Sequence, residues 1–161
     1  AYDISLGLVG SEMCIRDSPE EDYTLPIGKA DVKRKGANIT LVSYGLTLHY
    51  CLEAAETMAA EGVDVEVLDL RTLTPLDTDT VLNSVKKTGK LAIVHEDNIT
   101  GGVGAEIAAI VADQAFEYLD GPIVRVCGPD VPTMPFAQTL EDAYMPTADK
   151  ISDGLRKLAA Y

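Results

Sequence analysis

Basic residues are scarce. The chain of 161 residues carries 13 Lys and Arg against 26 Asp and Glu, a net charge of −13. Neutralising a phosphate backbone needs clustered Lys and Arg, so no nucleic-acid role is expected. The same deficit argues against docking on an anionic lipid surface, and no membrane role is expected. An acidic surface suits either a basic protein partner or simple solubility, and solubility is the plainer reading. Cysteine is also sparse. Cys14, Cys51 and Cys127 form no CxxC and no Cys/His ligand set, so neither a disulfide framework nor a zinc site is indicated, and a reducing, cytoplasmic setting is expected. No apolar run approaches the length of a membrane span. A signal peptide needs a basic start and an unbroken apolar core; Asp3 stands where Lys or Arg should be, and Ser5 and Gly7 split the run from Ile4 to Val9.

What is present is the balance of a globular protein, 47% hydrophobic and 24% charged. From Lys29 the chain alternates between two kinds of pattern. "ITLVSY" (39–44), "VDVEVLDL" (63–70), "KLAIVHE" (90–96) and "PIVRVCG" (122–128) are short apolar runs that predict strands. The second alternates, with Val63, Val65 and Val67 on one face, which predicts a partly polar opposite face. Between the strands lie stretches of helical period. Leu48, Cys51, Leu52, Ala55, Met58 and Ala59 share a face, with Gly62 as the stop. "PLDTDTVLNSVKKTG" has acids first, Lys86 and Lys87 last and Gly89 beyond, matching the helix dipole. A helix capped by Thr100 is expected to turn Ile107, Ile110, Val111, Ala115 and Tyr118 inward. A turn-rich stretch around Pro129, Pro132 and Pro135 leads to a short acidic segment near Glu141. The end, "PTADKISDGLRKLAAY", predicts an amphipathic helix with Ile151, Leu155 and Leu158 inward. Alternating strands and helices predict one α/β domain with a mainly parallel sheet.

Ligands in open α/β sheets sit beyond the carboxyl ends of the strands. "VHEDNITGGVGAE" could pass there for a dinucleotide loop, but Ile107 stands at the third glycine position of GxGxxG. Glu96, Asp97 and Glu106 would also oppose a pyrophosphate. Close packing through Gly101, Gly102 and Gly104 is the favoured reading. His95, at a strand end, could act as a general base; a satisfied histidine at a domain or subunit contact is preferred. His49 falls among apolar neighbours and is expected in the core or an interface. Cys51 and Cys127 read as packing thiols. Neither a metal site nor a self-contained active site emerges.

Several stretches together resemble one family. "YTLPIGKADVKRKG", "LVSYG", "VEVLDLRTLTPLD", "SVKKTGKLAIVHED", "TGGVGAE" and "LEDAYMPTADKI" occur in that order. They are similar to the C-terminal half of the beta subunit of thiamine-diphosphate-dependent 2-oxo acid dehydrogenases of the pyruvate, branched-chain and acetoin type. The resemblance runs from Pro19 to Tyr161. It implies a transketolase C-terminal fold, three layers with about five strands between helices on both faces, over residues 37–161. Residues 19–36 would be the linker from a pyrimidine-binding domain.

The resemblance also implies that thiamine diphosphate, with magnesium, is held in the complete enzyme by the alpha subunit and the other half of the beta subunit. This fragment would then have no catalytic, cofactor-binding or metal residues and no activity alone. Its partners would be an alpha subunit, a second beta subunit in a heterotetramer, and the peripheral subunit-binding domain of the acyltransferase core. That docking would use Asp120, in "YLDGP", and the terminal carboxylate at Tyr161, facing arginine. Without the resemblance, Asp120 is an ordinary turn acid. His95, Gly101, Gly102, Gly104 and Glu106 would lie near the beta–beta contact. Residues 1–18, with "SLGLVGSEMCIRDS", resemble a translated sequencing adapter and are read as a non-biological extension; the rival reading is a genuine extension on a stand-alone assembly module. A transketolase or deoxyxylulose-phosphate synthase relative is the other alternative.

Overall fold

The computed structural model describes residues 22–161. The expected extension over residues 1–18, and Cys14 with it, lies outside the described residues.

Five strands form one sheet in the order β1-β3-β2-β4-β5. They are β1 (Asp31–Arg34), β2 (Ile39–Ser43), β3 (Val65–Asp69), β4 (Leu91–Asn98) and β5 (Val124–Gly128). β2 lies parallel to both β3 and β4, β5 lies parallel to β4, and only β1 is antiparallel, pairing Asp31 with Asp69. Parallel neighbours require long crossovers, and helices supply them: α1 (Thr47–Ala60), α2 (Thr78–Thr88) and α3 (Val103–Gln114). α4 (Gln138–Tyr144) and α5 (Ala148–Ala159) follow the last strand.

The apolar residues sort into two cores, one on each face. Ile39, Leu41, Val65, Val67, Ala92 and Val94 meet α1 and α5 on one side. Val42, Leu68, Leu91 and Ile93 meet α2 and α3 on the other. Both faces of the central strands are therefore dry, as an apolar parallel sheet requires. The mainly parallel sheet expected from the alternating pattern, and the three layers that the resemblance implies, are those observed.

Local signals set the ends of α2 and α5. Asp77 caps α2 by accepting from the Thr80 N–H at 3.3 Å, and Gly89 ends it in the left-handed region at φ 73°. Thr147 caps α5 through the Lys150 N–H at 3.4 Å. α3 differs from expectation. Thr100 does not cap it; its hydroxyl donates to Asp130 at 2.6 Å, and Gly102 occupies the cap position with no side-chain bond. The helix ends at Gln114, and Phe116–Tyr118 form a 3-10 turn. The change of period turns Tyr118 outward, where the Lys86 ammonium sits 5.3 Å from its ring centre.

Three further segments gain detail that the sequence does not give. Residues 31–34, assigned to a linker, are β1, held to the sheet by ladder bonds and by Arg71, which pairs with Asp31 at 2.5 Å. The acidic segment near Glu141 is the helix α4, anchored by buried Tyr144, whose hydroxyl donates to the Glu96 carbonyl at 2.9 Å. The partly polar face expected on β3 is there, but it is buried: Glu66 is 2% exposed. Its carboxylate accepts from Ser84 at 2.6 Å, from Lys87 and from the Gly36 N–H at 3.4 Å. Ser84 and Thr88 each share a 2.7 Å hydrogen bond with Thr40, so a chain of hydroxyls leads from the carboxylate inward. Burial pushes the Glu66 carboxyl up, but the bonds from Lys87, Ser84 and Gly36 together outweigh it and hold the group below its ordinary value.

A depressed folded-state pKa contributes stability that is present above the unfolded value and lost as pH falls through the folded one. Lys87→Ala leaves the carboxylate buried and short of its cation. In urea titrations it should cost about 1–2 kcal/mol at neutral pH, the lysine being half in water. Acid loss of stability should also begin at a higher pH than in the parent. Gly36 has a second constraint, since a Cβ there would lie 2.3 Å from the backbone of Val65 and Glu66. Gly36→Ala should therefore destabilise by about 1–3 kcal/mol in the same assay.

Candidate functional site

The roof leaves a cavity of about 380 Å³ between the β1 edge and α2, where Lys87 already occupies the Glu66 carboxylate, and the two ends of the sheet. At the amino end, α2 stops at Gly89 and β4 begins two residues later. The Gly89 carbonyl accepts the Asp120 N–H at 2.7 Å. A Cβ on Gly89 would fall 2.2 Å from Asp120 Oδ2, so the carboxylate lies directly against the glycine. One residue on, Gly121 packs on the last turn of α5; its Cβ would lie 3.2 Å from Tyr161 Cβ and 3.3 Å from Leu158 Cδ1. Lys90 reaches across to the Ala159 carbonyl at 3.5 Å. Asp120 and Tyr161, 41 positions apart in sequence, are thus brought to one corner, and both are exposed. Phe116 (72% exposed) and Tyr118 (42%) add aromatic surface nearby in the chain. The corner offers carboxylate and aromatic groups but no base or nucleophile. Its chemistry is recognition of a cation, best met by the planar fork of an arginine.

The carboxyl end is organised around His95, which has no exposed surface. The histidine is satisfied, as expected, and the partners that satisfy it lie within the domain. The Gly104 N–H lies 3.1 Å from Nε2 and can only donate, so Nε2 is the bare nitrogen. Nδ1 carries the proton and donates to the Asp97 carbonyl at 3.1 Å. Cys127, opposite His95 in the ladder, places Sγ 3.2 Å from Nε2. Tyr44 stacks on the ring, the centroids 6.1 Å apart. Gly102 and Gly104 are required for closeness, since a Cβ would reach 2.7 Å from Cε1 and 2.6 Å from Nε2 respectively. Burial lowers the histidine pKa, partly opposed by the Asp97 carbonyl, and raises the Cys127 thiol to about 11. A neutral histidine beside a neutral thiol is not an activated nucleophile.

Of the glycines, Gly102 and Gly104 join this cluster. Gly101 turns at φ 76° with open space around it, and Glu106 is exposed in the first turn of α3; neither touches the ring. The Gly104 amide that a phosphate would need is committed to His95, which favours the packing reading of the loop over a nucleotide site. A cleft of about 410 Å³ opens beside it, lined by Glu96, Asp97, Asn98, Pro132, Met134 and Tyr144. His49 is exposed on α1 rather than buried in the core. Cys51 is buried, its thiol raised to about 12, and inert. Among the described residues, no three His, Cys, Asp or Glu side chains are placed to hold a metal ion. The His95–Cys127 pair was not foreseen in the sequence. The available signal was that "VHE" and "VCG" end two parallel strands at the same level.

Residues 28–151 match the family described as transketolase, C-terminal domain. The chain is 46% identical over 143 residues to the 2-oxoisovalerate dehydrogenase subunit beta of Bacillus subtilis, covering 89% of this chain and 44% of the relative. It is 45% identical over 139 residues to the mitochondrial pyruvate dehydrogenase E1 component subunit beta of Dictyostelium discoideum, covering 86% and 39%. The beta subunit of an acetoin:2,6-dichlorophenolindophenol oxidoreductase of Cupriavidus necator is 48% identical over 139 residues, covering 86% and 41%. Among solved structures, a split-gene transketolase described as an inactive beta4 tetramer superposes with a TM-score of 0.76 at 27% identity, over 89% of this chain and 45% of that one. The chain thus spans less than half the length of these relatives. With its sheet order, its two helical layers and the span of the match, the chain belongs to the transketolase C-terminal domain family.

Proposed function

We propose that this chain is the C-terminal part of the beta subunit of a 2-oxo acid dehydrogenase, and that its work is assembly and docking. The complete enzyme would decarboxylate a 2-oxo acid and transfer the acyl group to a lipoyl arm. Identities of 45–48% to beta subunits named for three different substrates support the subunit over a transketolase relative, matched at 27%.

Thiamine diphosphate with magnesium would serve the whole enzyme, and the residues of this chain do not fit it. The open end of the sheet presents Glu96, Asp97 and Asp130, which repel a diphosphate, and the nearest helix-terminal amide, that of Gly104, is engaged by His95. The partners would be an alpha subunit, a second beta subunit and the peripheral subunit-binding domain of the acyltransferase. A cytoplasmic setting goes with this reading.

The observation that carries the docking role is the amino-end corner, where Asp120 and Tyr161 meet across Gly121. The carboxylate of Asp120, beside the exposed ring of Tyr161, makes an acceptor for arginine on the partner. In calorimetric titration with an isolated subunit-binding domain, Asp120→Asn should weaken binding roughly ten- to a hundredfold, since a hydrogen bond to a charged group contributes about 1.5–3 kcal/mol. The salt dependence of the remaining affinity should be shallower. Affinity unchanged by the substitution would place docking elsewhere. In a coupled assay the chain alone should turn over neither pyruvate nor a branched 2-oxo acid, and unaided turnover would overturn the subunit reading.

A further inference from the structure

His95 does work that neither assembly nor docking uses. A neutral imidazole has one lone pair on its bare nitrogen. Here that lone pair faces two groups at once, the Gly104 N–H at 3.1 Å from α3 and the Cys127 thiol at 3.2 Å from β5. The same ring fixes the last residues of β4, through Nδ1 and the Asp97 carbonyl at 3.1 Å. One side chain therefore ties β4, β5 and the first turn of α3 together. Glycines at 102 and 104 bring the backbone close enough for the tie. The turn before the helix has ties of its own to β5, the Ile99 N–H to the Gly128 carbonyl at 2.9 Å and Arg125 to the Ile99 carbonyl at 2.7 Å, but α3 has no side-chain cap, so its first turn depends on His95.

We propose that His95 is a proton-sensitive latch: neutral, it holds residues 98–104 and the start of α3 closed on β5, and protonated, it releases them. The proton would have to enter at Nε2, since Nδ1 is already occupied. The new N–H would then point at the Gly104 N–H, and both partners of Nε2 would lose their acceptor. The charge would also sit at a helix N-terminus, where the dipole opposes a cation.

The surrounding groups divide. Arg125 on β5, whose guanidinium donates to the Ile99 carbonyl at 2.7 Å, adds to the repulsion. The Asp97 carboxylate, beyond β4's buried segment, favours the cation. Cys127 on β5 and Tyr44 after β2 are neutral neighbours; Glu96 and, on α3, Glu106 stand in water, and Tyr144 of α4 is occupied by the Glu96 carbonyl. Burial is the largest influence and points the same way as Arg125. Because the folded-state pKa is depressed, the latch is fully closed above the ordinary histidine value near 6.5, and its stabilisation declines as pH falls below it. What opens is the acidic rim at the carboxyl end, including the clasp of Thr100 on Asp130.

The test is nuclear magnetic resonance on the whole chain, in two readouts. Ring nitrogen shifts at pH 7.5 should show the Nδ1–H tautomer; the Nε2–H tautomer would overturn the latch. Amide exchange, corrected for its intrinsic pH dependence, should show protection of Gly104 falling at least tenfold between pH 7.5 and 5, while Leu41 in the core keeps its protection. Gly104 protected throughout, or lost together with Leu41, would also overturn it. In His95→Gln, which can accept from Gly104 without taking up a proton, the Gly104 step should vanish. A step that persists would assign it to another group. Should that variant not fold, the two readouts on the parent chain still decide.

Discussion

A sheet that is apolar on both faces must be roofed on both faces. That requirement governs everything else in this domain. β2, β3 and β4 bury nearly every side chain, including Ile39, Val42, Leu68 and Val94, so two helices must lie on each side. The crossovers that make the strands parallel provide the roof. Once it is in place, the central strands are covered, and open space is left at the two ends, where loops and helix termini emerge, and beside α2, in a cavity of about 380 Å³ lined by Val32, Glu66, Leu68, Ser84 and Lys87.

The two ends have been put to different uses. The amino end is wet, with carboxylate and aromatic groups standing in solvent on glycine-supported backbone, which suits a surface met by another protein. The carboxyl end is dry at its centre. There a histidine, a thiol and two glycines fill the space between β4, β5 and α3, and the acids stand around the margin. The amino end thus offers an exposed carboxylate to a partner, while at the carboxyl end the imidazole is sealed from solvent.

What the sequence makes legible is what depends on neighbours along the chain. The apolar runs of β2, β4 and β5, the cap and stop of α2, and the inward residues of α5 all follow from period and local chemistry. What it hides depends on partners far away. Glu66 is legible as part of a polar face, but its burial is not, because its lysine lies 21 positions on, on another element. β1 reads as linker because its hydrophobic content is low and its place in the sheet is set by β3. Thr100 reads as a cap until Asp130, from beyond β5, takes its hydroxyl. His95 was visible as a strand-end histidine, but its burial was not, since Cys127 and Tyr44 come from other strands. The Asp120–Tyr161 corner came into view through family resemblance, not through any property of "YLDGP" itself.

Helix α2 has a mechanical side. At its start, Asp77 grips the incoming chain, accepting the Ala30 N–H at 3.1 Å and pairing with Lys29 at 3.7 Å. At its finish, Gly89 seats Asp120. Between them run 11 residues of helix, roughly 16 Å of stiff rod. The chain reaching this domain from residue 28 is therefore fastened to one end of a strut whose other end bears on the acidic corner. The two ends of the sheet are thereby kept in register: the contact with residues 29–30 and the contact with Asp120 sit on one helix.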